Sequence, residues 1–222
     1  MADSNFDAQP PAGLIAAQSV AKRTVNTLIS RGVGVGSSEI ELAEQVAAIA
    51  GELGASGLWT PCTTRVGLGT LVAHPEFPMQ DRRAGEGDYL ILDVAPAVDG
   101  WLGDYCRTFV VGGAPDEHGL IAEVERIQSA LIDHVRPGMR ASDLFAFGAA
   151  LVADAGLKIL DLLDNIGHSI GQEFAAEGFI DASNDTPMWG TWTIEPHIGA
   201  RSRGVKVEDM VWLPRHGSPV VL

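Results

Sequence analysis

The stretch that decides the fold is LILDVAPAVDGWLGDYCRTFVVG, residues 90–112. Two runs of apolar, β-branched and aromatic residues flank Asp99 and Gly100, a dipeptide that favours the two-residue turn of a β-hairpin. With these two residues as the loop, Val98 pairs with Trp101. The sequence therefore predicts a hairpin with a defined register.

Two aspartates interrupt the apolar pattern of this hairpin. Its register places Asp104 opposite Ala95, so Asp93 lies on the same face of the neighbouring strand. Diagonal neighbours have side-chain origins roughly 5.5–8 Å apart, close enough to share a ligand. Two buried like charges raise each other's pKa at a considerable cost in free energy unless a cation lies between them. The pair favours a metal site, and two polar residues on a solvated face are the alternative.

Composition is typical of a globular protein. A chain of 222 residues, 46% hydrophobic and 20% charged, suffices for one domain with a full-sized core. No apolar run approaches the length of a membrane span, and MADSNFDAQPPAG lacks the basic end and apolar stretch of a signal peptide. We expect a cytoplasmic protein with a disordered lead over residues 1–12 and one folded domain over residues 13–222.

Charge and cysteine content argue against several classes of function. A net charge of −14 disfavours nucleic acid or an anionic membrane as a partner. Cys62 and Cys106 lack the CxxC spacing of a thiolate zinc site and fit a reducing compartment. Metal-ligating carboxylates would account for part of the acidic excess.

Helical spacing predicts two helices before the hairpin and two after it, over residues 14–30, 38–54, 117–135 and 142–154. Ser38 and Glu41 form a capping box for the second helix. The sequence of the fourth helix and of the loop before it is similar to that of the second, with Ser142 at the position of the capping Ser38. This similarity suggests two related halves, each with helices followed by a strand pair.

A second half of this kind should carry its own acids on strands. TWTIEP contains Glu195 and VKVEDMVWL contains Glu208, in strand-like runs separated by the turn-prone HIGARSRG. Between the hairpins, DNIGHSIGQEF places His168 among small residues. A lone histidine is more often structural, but this one would join four strand-borne carboxylates. Oxygen ligands with one imidazole suit Mn, Co, Fe or Zn, and two ions with a bridging water would neutralise the carboxylates.

Together these residues resemble the pita-bread metallopeptidase family, which includes methionine aminopeptidase, aminopeptidase P and prolidase. The likeness is carried by Asp93 and Asp104 with GDYCRTFVVG, and then by GHSIG, TIEPHIG and VEDMV, and it covers residues 14–222. It implies an α/β (α+β) fold, in which a pseudo-twofold, strongly curved antiparallel sheet backed by helices forms a single domain around a dinuclear metal centre.

The resemblance also implies roles for the site residues. Asp104 and Glu208 would bridge two divalent ions (Mn, Co, Fe or Zn). Asp93 would be a bidentate ligand of one ion, and His168 and Glu195 would complete the other. The ions would generate a bridging hydroxide, and Glu195 would act as the proton shuttle.

The residues that handle the substrate match the family less well. His74, in LVAHPEF, lies about where the family places a histidine that contacts the substrate, but a plain loop histidine is as good an interpretation. Ala175 replaces a second histidine that usually follows the ligand histidine, and Asp164 replaces one typical of prolidase-like members. Glu173 or Glu177 could compensate. The N-terminal domain of prolidase is also missing, so we expect a catalytic domain alone.

Three functions follow from these observations. The first is a hydrolase of a peptide or amide C–N bond, resembling an aminopeptidase or an Xaa-Pro dipeptidase, with a small peptide or amide as substrate. The second is a non-peptide amide or ring hydrolase of a specialised metabolite, and the third is a catalytically inactive module that binds peptides or a protein. The intact ligand set favours an enzyme, because bare buried charges would destabilise the sheet. The resemblance also suggests a homodimer, because several relatives form dimers.

Overall fold

The computed structural model describes residues 9–222, so most of the predicted N-terminal lead lies outside the described residues. Four α-helices occur in this range: α1 Ala12–Arg31, α2 Glu39–Glu52, α3 Leu120–His134 and α4 Ala141–Asp154. The strands are β1 Gly57–Leu58, β2 Thr63–Val66, β3 Tyr89–Val94, β4 Pro96–Val98, β5 Trp101–Leu102, β6 Tyr105–Val110, β7 Lys158–Ile159, β8 His168–Ile170, β9 Phe174–Phe179, β10 Gly190–Ile194, β11 His197–Ala200, β12 Arg203–Lys206, β13 Asp209–Leu213 and β14 Val220–Val221. Two short 3₁₀ turns cover Gly67–Leu71 and Val111–Gly113.

The elements form two halves with the same internal order. In the first half, α1 and α2 precede the sheets β2-β3-β6 and β1-β4-β5. In the second half, α3 and α4 precede the matching sheets β8-β10-β13 and β7-β11-β12, and β9 and β14 extend the larger sheet. Neighbouring strands are antiparallel in both halves. The repeat confirms the predicted pseudo-twofold α/β fold.

The first hairpin has the register that its turn predicts. Asp99 and Gly100 have φ values of 50° and 80°, as a type I′ turn requires of both central residues. Val98 pairs with Trp101 at the turn, and the same register continues through β3 and β6. The register that the turn predicts therefore holds over the whole hairpin.

The ladder of this hairpin is interrupted at Ala95 and Asp104, which divides each predicted strand in two. The backbone N–H of Asp104 donates to Oε1 of Gln18 in α1 at 3.0 Å instead of to a strand. Gly103 lies so close to α1 that a Cβ there would come within 2.4 Å of the backbone oxygen of Ala17. At this point a side chain of helix α1, and not the neighbouring strand, is the hydrogen-bond partner of the hairpin backbone.

The second hairpin repeats this interruption. Strand β10 pairs with β13 and β11 with β12 in one continuous register, which places Glu195 opposite Glu208 in the gap between the two ladders. The backbone N–H of Glu208 donates to the carbonyl oxygen of Cys106 at 2.9 Å and so joins the two hairpins. The prediction that the second half has its own strand pair with two acids is confirmed. These acids lie at breaks in the strands.

Each half has its own hydrophobic core beneath its helix pair. Leu90, Leu92 and Val94 of β3 pack with residues of α1 and α2. Because successive side chains of a strand point to opposite faces, Asp93 points away from this core. Trp192 lies in the core of the second half and is fully buried. The helices therefore cover one face of each hairpin and leave the acids on the other.

The N-cap predicted at Ser142 is wrong. Helix α4 begins at Ala141, and its N-cap is Arg140, which makes no capping hydrogen bond through its side chain. The backbone N–H groups of Ala141 and Ser142 donate instead to the carbonyl oxygens of Thr186 and Asn184. Because a neighbouring segment already accepts from these first-turn donors, the helix needs no capping side chain.

Helix α2, in contrast, depends on its capping box. Ser38 Oγ accepts from the N–H of Glu41, whose carboxylate accepts from the N–H of Ser38 at 3.0 Å. We expect Ser38→Ala to lower the free energy of unfolding by about 1 kcal/mol. The matched control Ser142→Ala should change it by less than about 0.5 kcal/mol. Urea unfolding of both variants measures this difference, and equal losses would contradict the assignment of the two caps.

Two further observations concern the helices and the cysteines. None of the helices in residues 9–222 combines the length and the apolar composition needed to cross a membrane. Cys62 and Cys106 are buried free thiols, and burial raises the pKa of Cys62 to about 12.

Candidate metal centre

A pocket of about 460 Å³ opens where the two hairpins meet. It is lined by all five predicted metal ligands, which are Asp93, Asp104, His168, Glu195 and Glu208, and by the predicted substrate contact His74. Its volume lies within the range of small-molecule sites, about 300–1,000 Å³. The structure therefore brings together every residue that the sequence predicted for the site.

His168 lies among these acids. Its Nδ1 lies 3.1 Å from the carbonyl oxygen of Ser169, and its Nε2 lies 3.2 Å from Glu195 Oε1 and 3.6 Å from Asp104 Oδ2. In the tautomer that donates from Nδ1 to Ser169, Nε2 has a lone pair directed at these carboxylates. A cation between these atoms would be coordinated by the nitrogen and by the carboxylates.

Asp104, His168 and Glu208 converge on one point. Each offers a ligand atom within 4.8 Å of the others. Both carboxylate oxygens of Glu208 are buried without a hydrogen-bond donor among the described residues. Burial, and then neighbouring carboxylates, raise the pKa of Asp104 and of Glu208 well above their usual values. Because a buried carboxylate without a partner is costly, this donor set fits a divalent metal ion.

Lys206 holds the two remaining acids. Its Nζ lies 2.6 Å from Asp93 Oδ2, 2.7 Å from Glu195 Oε2 and 3.7 Å from Glu208 Oε2. Burial would lower the pKa of Lys206, but these carboxylates raise it well above its usual value. Asp93 and Glu195 therefore each direct one carboxylate oxygen to the ammonium group of Lys206.

Sequence reasoning did not identify Lys206, although a signal was present. It precedes Glu208 by two positions in VKVED, so the period of a strand predicts both side chains on one face. Burial would raise the pKa of Glu195, but Lys206 and His168 lower it below its usual value. Lys206 thus keeps Glu195 ionised beside the candidate metal ligands.

The segment that carries His74 is positioned by the buried Arg65. Its guanidinium donates to three backbone carbonyls within residues 72–77, and the fully buried Glu39 balances its charge. His74 Nδ1 accepts from the N–H of Glu76 at 3.3 Å, so Nε2 carries the proton. His74 is thereby equipped as a hydrogen-bond donor at the edge of the pocket.

Asp164, which replaces one of the missing histidines, does not line the pocket, and neither do Glu173 and Glu177, which could have compensated for Ala175. Ala175 has a left-handed φ of 50° and does not line the pocket either. Its neighbour Phe174 does, with its ring centroid 4.6 Å from that of His168 and 5.1 Å from that of Trp59. An aromatic surface therefore lies beside the candidate ligands.

Two related halves with carboxylates and one histidine at their junction define a candidate metal-binding protein of the pita-bread fold. Residues 12–214 match the family model described as Metallopeptidase family M24. The chain belongs to this family, as its motifs predicted.

Individual relatives agree with this assignment. The probable dipeptidase PepE of Mycobacterium tuberculosis is 31% identical over 161 residues, which are 69% of this chain and 42% of the relative. The Xaa-Pro dipeptidase of Lactobacillus delbrueckii subsp. lactis is 30% identical over 162 residues, or 71% and 44%. The prolidase from Pyrococcus furiosus superposes with a TM-score of 0.83 at 23% identity, over 94% of this chain and 62% of that one. The chain thus spans less than half the length of these two curated relatives.

Proposed function

We propose that this chain is a dinuclear metal-dependent hydrolase that cleaves an amide or peptide C–N bond, as an aminopeptidase or Xaa-Pro dipeptidase does. The observation that carries the proposal is the convergence of a ring nitrogen of His168 with carboxylate oxygens of Asp104 and Glu208. Membership of a metallopeptidase family and similarity to dipeptidases support the reaction class.

The charges of the site support two ions. Asp104 and Glu208 would hold both ions, Asp93 would complete the ligands of one ion, and His168 and Glu195 would complete those of the other. Four carboxylates carry more negative charge than one lysine and one divalent ion offset. When bound, two ions such as Mn, Co, Fe or Zn supply a hydroxide near neutral pH and polarise the scissile carbonyl.

The chain's own residues would move the protons. Glu195 is fixed by Lys206 and by the hydroxyl of Thr193, which lies 3.2 Å from Oε1. Because its pKa is lowered, Glu195 is ionised at neutral pH and can accept a proton and deliver it to the leaving amine. The Nε2–H of His74 would donate to the substrate's carbonyl oxygen.

Metal content and hydrolysis test this proposal together. We expect about two ions per chain by elemental analysis, and turnover of Met-, Pro- or Ala-leading peptides or simple amides. Glu195→Ala should lower turnover at least about 100-fold, whereas Glu173→Ala, which removes an exposed acid outside the pocket, should retain it. Failure to bind metal or to hydrolyse after reconstitution would overturn the proposal.

A second candidate is a non-peptide amide or ring hydrolase. It is favoured by Ala175, which stands where family members usually have a second histidine that handles the substrate. In this case the protein would bind metal and turn over simple amides but not the peptide panel. A catalytically inactive binding module would bind peptides without turning over either class.

Other features that we infer for this protein rest on its sequence. They are a cytoplasmic location, manganese as the metal, a homodimer, no nucleic-acid or membrane partner, and a single catalytic domain over residues 13–222.

A further inference from the structure

The two candidate bridging acids, Asp104 and Glu208, are held in different ways where the halves meet. The backbone N–H of Glu208 donates to the backbone carbonyl oxygen of Cys106 at 2.9 Å. The backbone N–H of Asp104 donates instead to a side chain, since its acceptor is Oε1 of Gln18 in α1 at 3.0 Å. A backbone acceptor is present whatever the side chain, whereas this acceptor exists only if residue 18 provides it. The anchoring of Asp104 therefore depends on a single side chain.

Gln18 lies within a row of backbone hydrogen bonds. Residues 102, 104 and 106 alternate along the second arm of the first hairpin, so their backbone groups point to the same edge. At this edge the N–H of Leu102 donates to the carbonyl oxygen of Gly171 at 2.8 Å, and the carbonyl oxygen of Cys106 accepts from the second hairpin. Between these two backbone contacts, the side chain of Gln18 accepts from the N–H of Asp104. A helix side chain thus completes the junction of the two halves at a candidate ligand.

The oxygen of the Gln18 amide is what contributes to this arrangement. Gln18 is 1% exposed, and its Nε2 is buried without a hydrogen-bond partner among residues 9–222. An unsatisfied buried donor costs free energy, so an apolar side chain of the same length would remove this cost. What glutamine adds over such a side chain is therefore the acceptor for the N–H of Asp104.

The carboxylate of Asp104 is sensitive to this hydrogen bond because its surroundings are tightly packed. The side chain is buried, with Oδ2 3.6 Å from Nε2 of His168. The preceding residue, Gly103, leaves no room for a Cβ against the backbone oxygen of Ala17, so α1 lies directly against the chain here. Without the acceptor, the buried N–H of Asp104 would have to turn toward another partner, and the carboxylate would turn with it.

We propose that Gln18 is a positioning residue, which holds the backbone of Asp104 so that its carboxylate meets the metal ions. This proposal rests on the proposed function, because it takes Asp104 as a ligand of both ions. Replacing a residue that orients a metal ligand typically costs about 10–100-fold in metal affinity. The affinity for metal should therefore depend on an acceptor at residue 18, and the fold should not.

Metal binding to two variants of Gln18 tests this dependence without requiring turnover. Methionine has nearly the length of glutamine but only a weak thioether acceptor, whereas glutamate keeps an acceptor oxygen in either protonation state. By titration calorimetry, we expect Gln18→Met to bind Mn²⁺ about 10–100-fold more weakly than the unmodified protein. Gln18→Glu should bind within about threefold of the unmodified protein or more tightly, because it keeps the acceptor and any added charge is negative.

The Co²⁺-loaded protein gives a second measurement. The absorption of bound Co²⁺ depends on its coordination geometry, so the spectrum should change in Gln18→Met and be retained in Gln18→Glu. Thr24→Val is the matched control, since Thr24 is a fully buried polar residue of α1 whose hydroxyl donates within the helix, to the carbonyl oxygen of Val20 at 2.8 Å. It should leave both the Mn²⁺ affinity and the spectrum unchanged.

Three results would contradict the positioning role of Gln18. These are equal Mn²⁺ affinities of Gln18→Met and the unmodified protein, equal losses in the two Gln18 variants, and loss of the folded state in Gln18→Met, which would make Gln18 structural. Circular dichroism and urea unfolding with a chelator establish whether the variant is folded. If the unmodified protein bound no metal, the proposed function would fail instead.

Discussion

Replacing Glu208 by glutamine is expected to stabilise the metal-free protein and to abolish its response to metal. Both carboxylate oxygens are buried without a donor in the part of the chain that the structure describes, and Asp104 and Glu195 add like charge. Glutamine keeps the shape of the side chain and removes the charge. We expect a gain in the free energy of unfolding of about 1–3 kcal/mol in the presence of a chelator, because an unsatisfied buried group costs about that much.

The response to metal should have the opposite sign. A ligand that binds only the folded protein stabilises it by about 2.7 kcal/mol at 100 times its Kd, so Mn²⁺ should raise the Tm of the unmodified protein clearly. Glu208→Gln should show little rise and no hydrolysis, because one converging ligand is lost. Glu177→Gln, an exposed control outside the pocket, should behave like the unmodified protein in both conditions.

The pH dependence separates this electrostatic account from a packing effect. Burial raises the pKa of Glu208 well above 4.5 in the folded protein, so the folded state binds this proton more tightly than the unfolded state. The metal-free protein then loses stability as the pH rises from 4.5 through the raised pKa. The advantage of Glu208→Gln should widen over that window. A constant difference would show that packing, and not charge, is responsible.

The sequence predicts the hairpins and the acids because their signals are local. An Asp99-Gly100 turn defines a register, and the register determines that Asp93 and Asp104 are near neighbours. The same strand period carries to Glu195 and Glu208, so the pocket contains the predicted ligand set. The small residues around His168 in DNIGHSIGQEF marked it as a further candidate ligand, whereas His74 was added only by the resemblance to the family.

The missed features depend on contacts between distant segments. Nothing near Asp104 in sequence shows that Gln18 takes its N–H and interrupts the strand. The cap of α4 fails for the same reason, because residues from another segment accept from its first turn. Phe174 and Trp59 are far apart in sequence and become one surface only in the fold. Lys206 is the exception, since its spacing from Glu208 was readable.

Lys206→Met should shift the stability of the metal-free protein in the direction opposite to Glu208→Gln. Methionine keeps the length of the side chain but removes the ammonium group that lies 2.6 Å from Asp93 and 2.7 Å from Glu195. Breaking a buried ion pair from one side costs about 3–5 kcal/mol, because the partner charges stay buried. Urea unfolding in the presence of a chelator measures this loss.

Metal should restore part of the stability lost in Lys206→Met, because divalent ions supply the positive charge that the variant lacks. The rise in Tm on adding Mn²⁺ should therefore be larger for Lys206→Met than for the unmodified protein. Lys206→Arg is the control that keeps the charge, and it should lose less stability than the methionine variant. If Lys206→Met and Glu208→Gln shifted stability in the same direction, charge balance could not be what organises this site, and the proposal of two divalent ions would lose its electrostatic support.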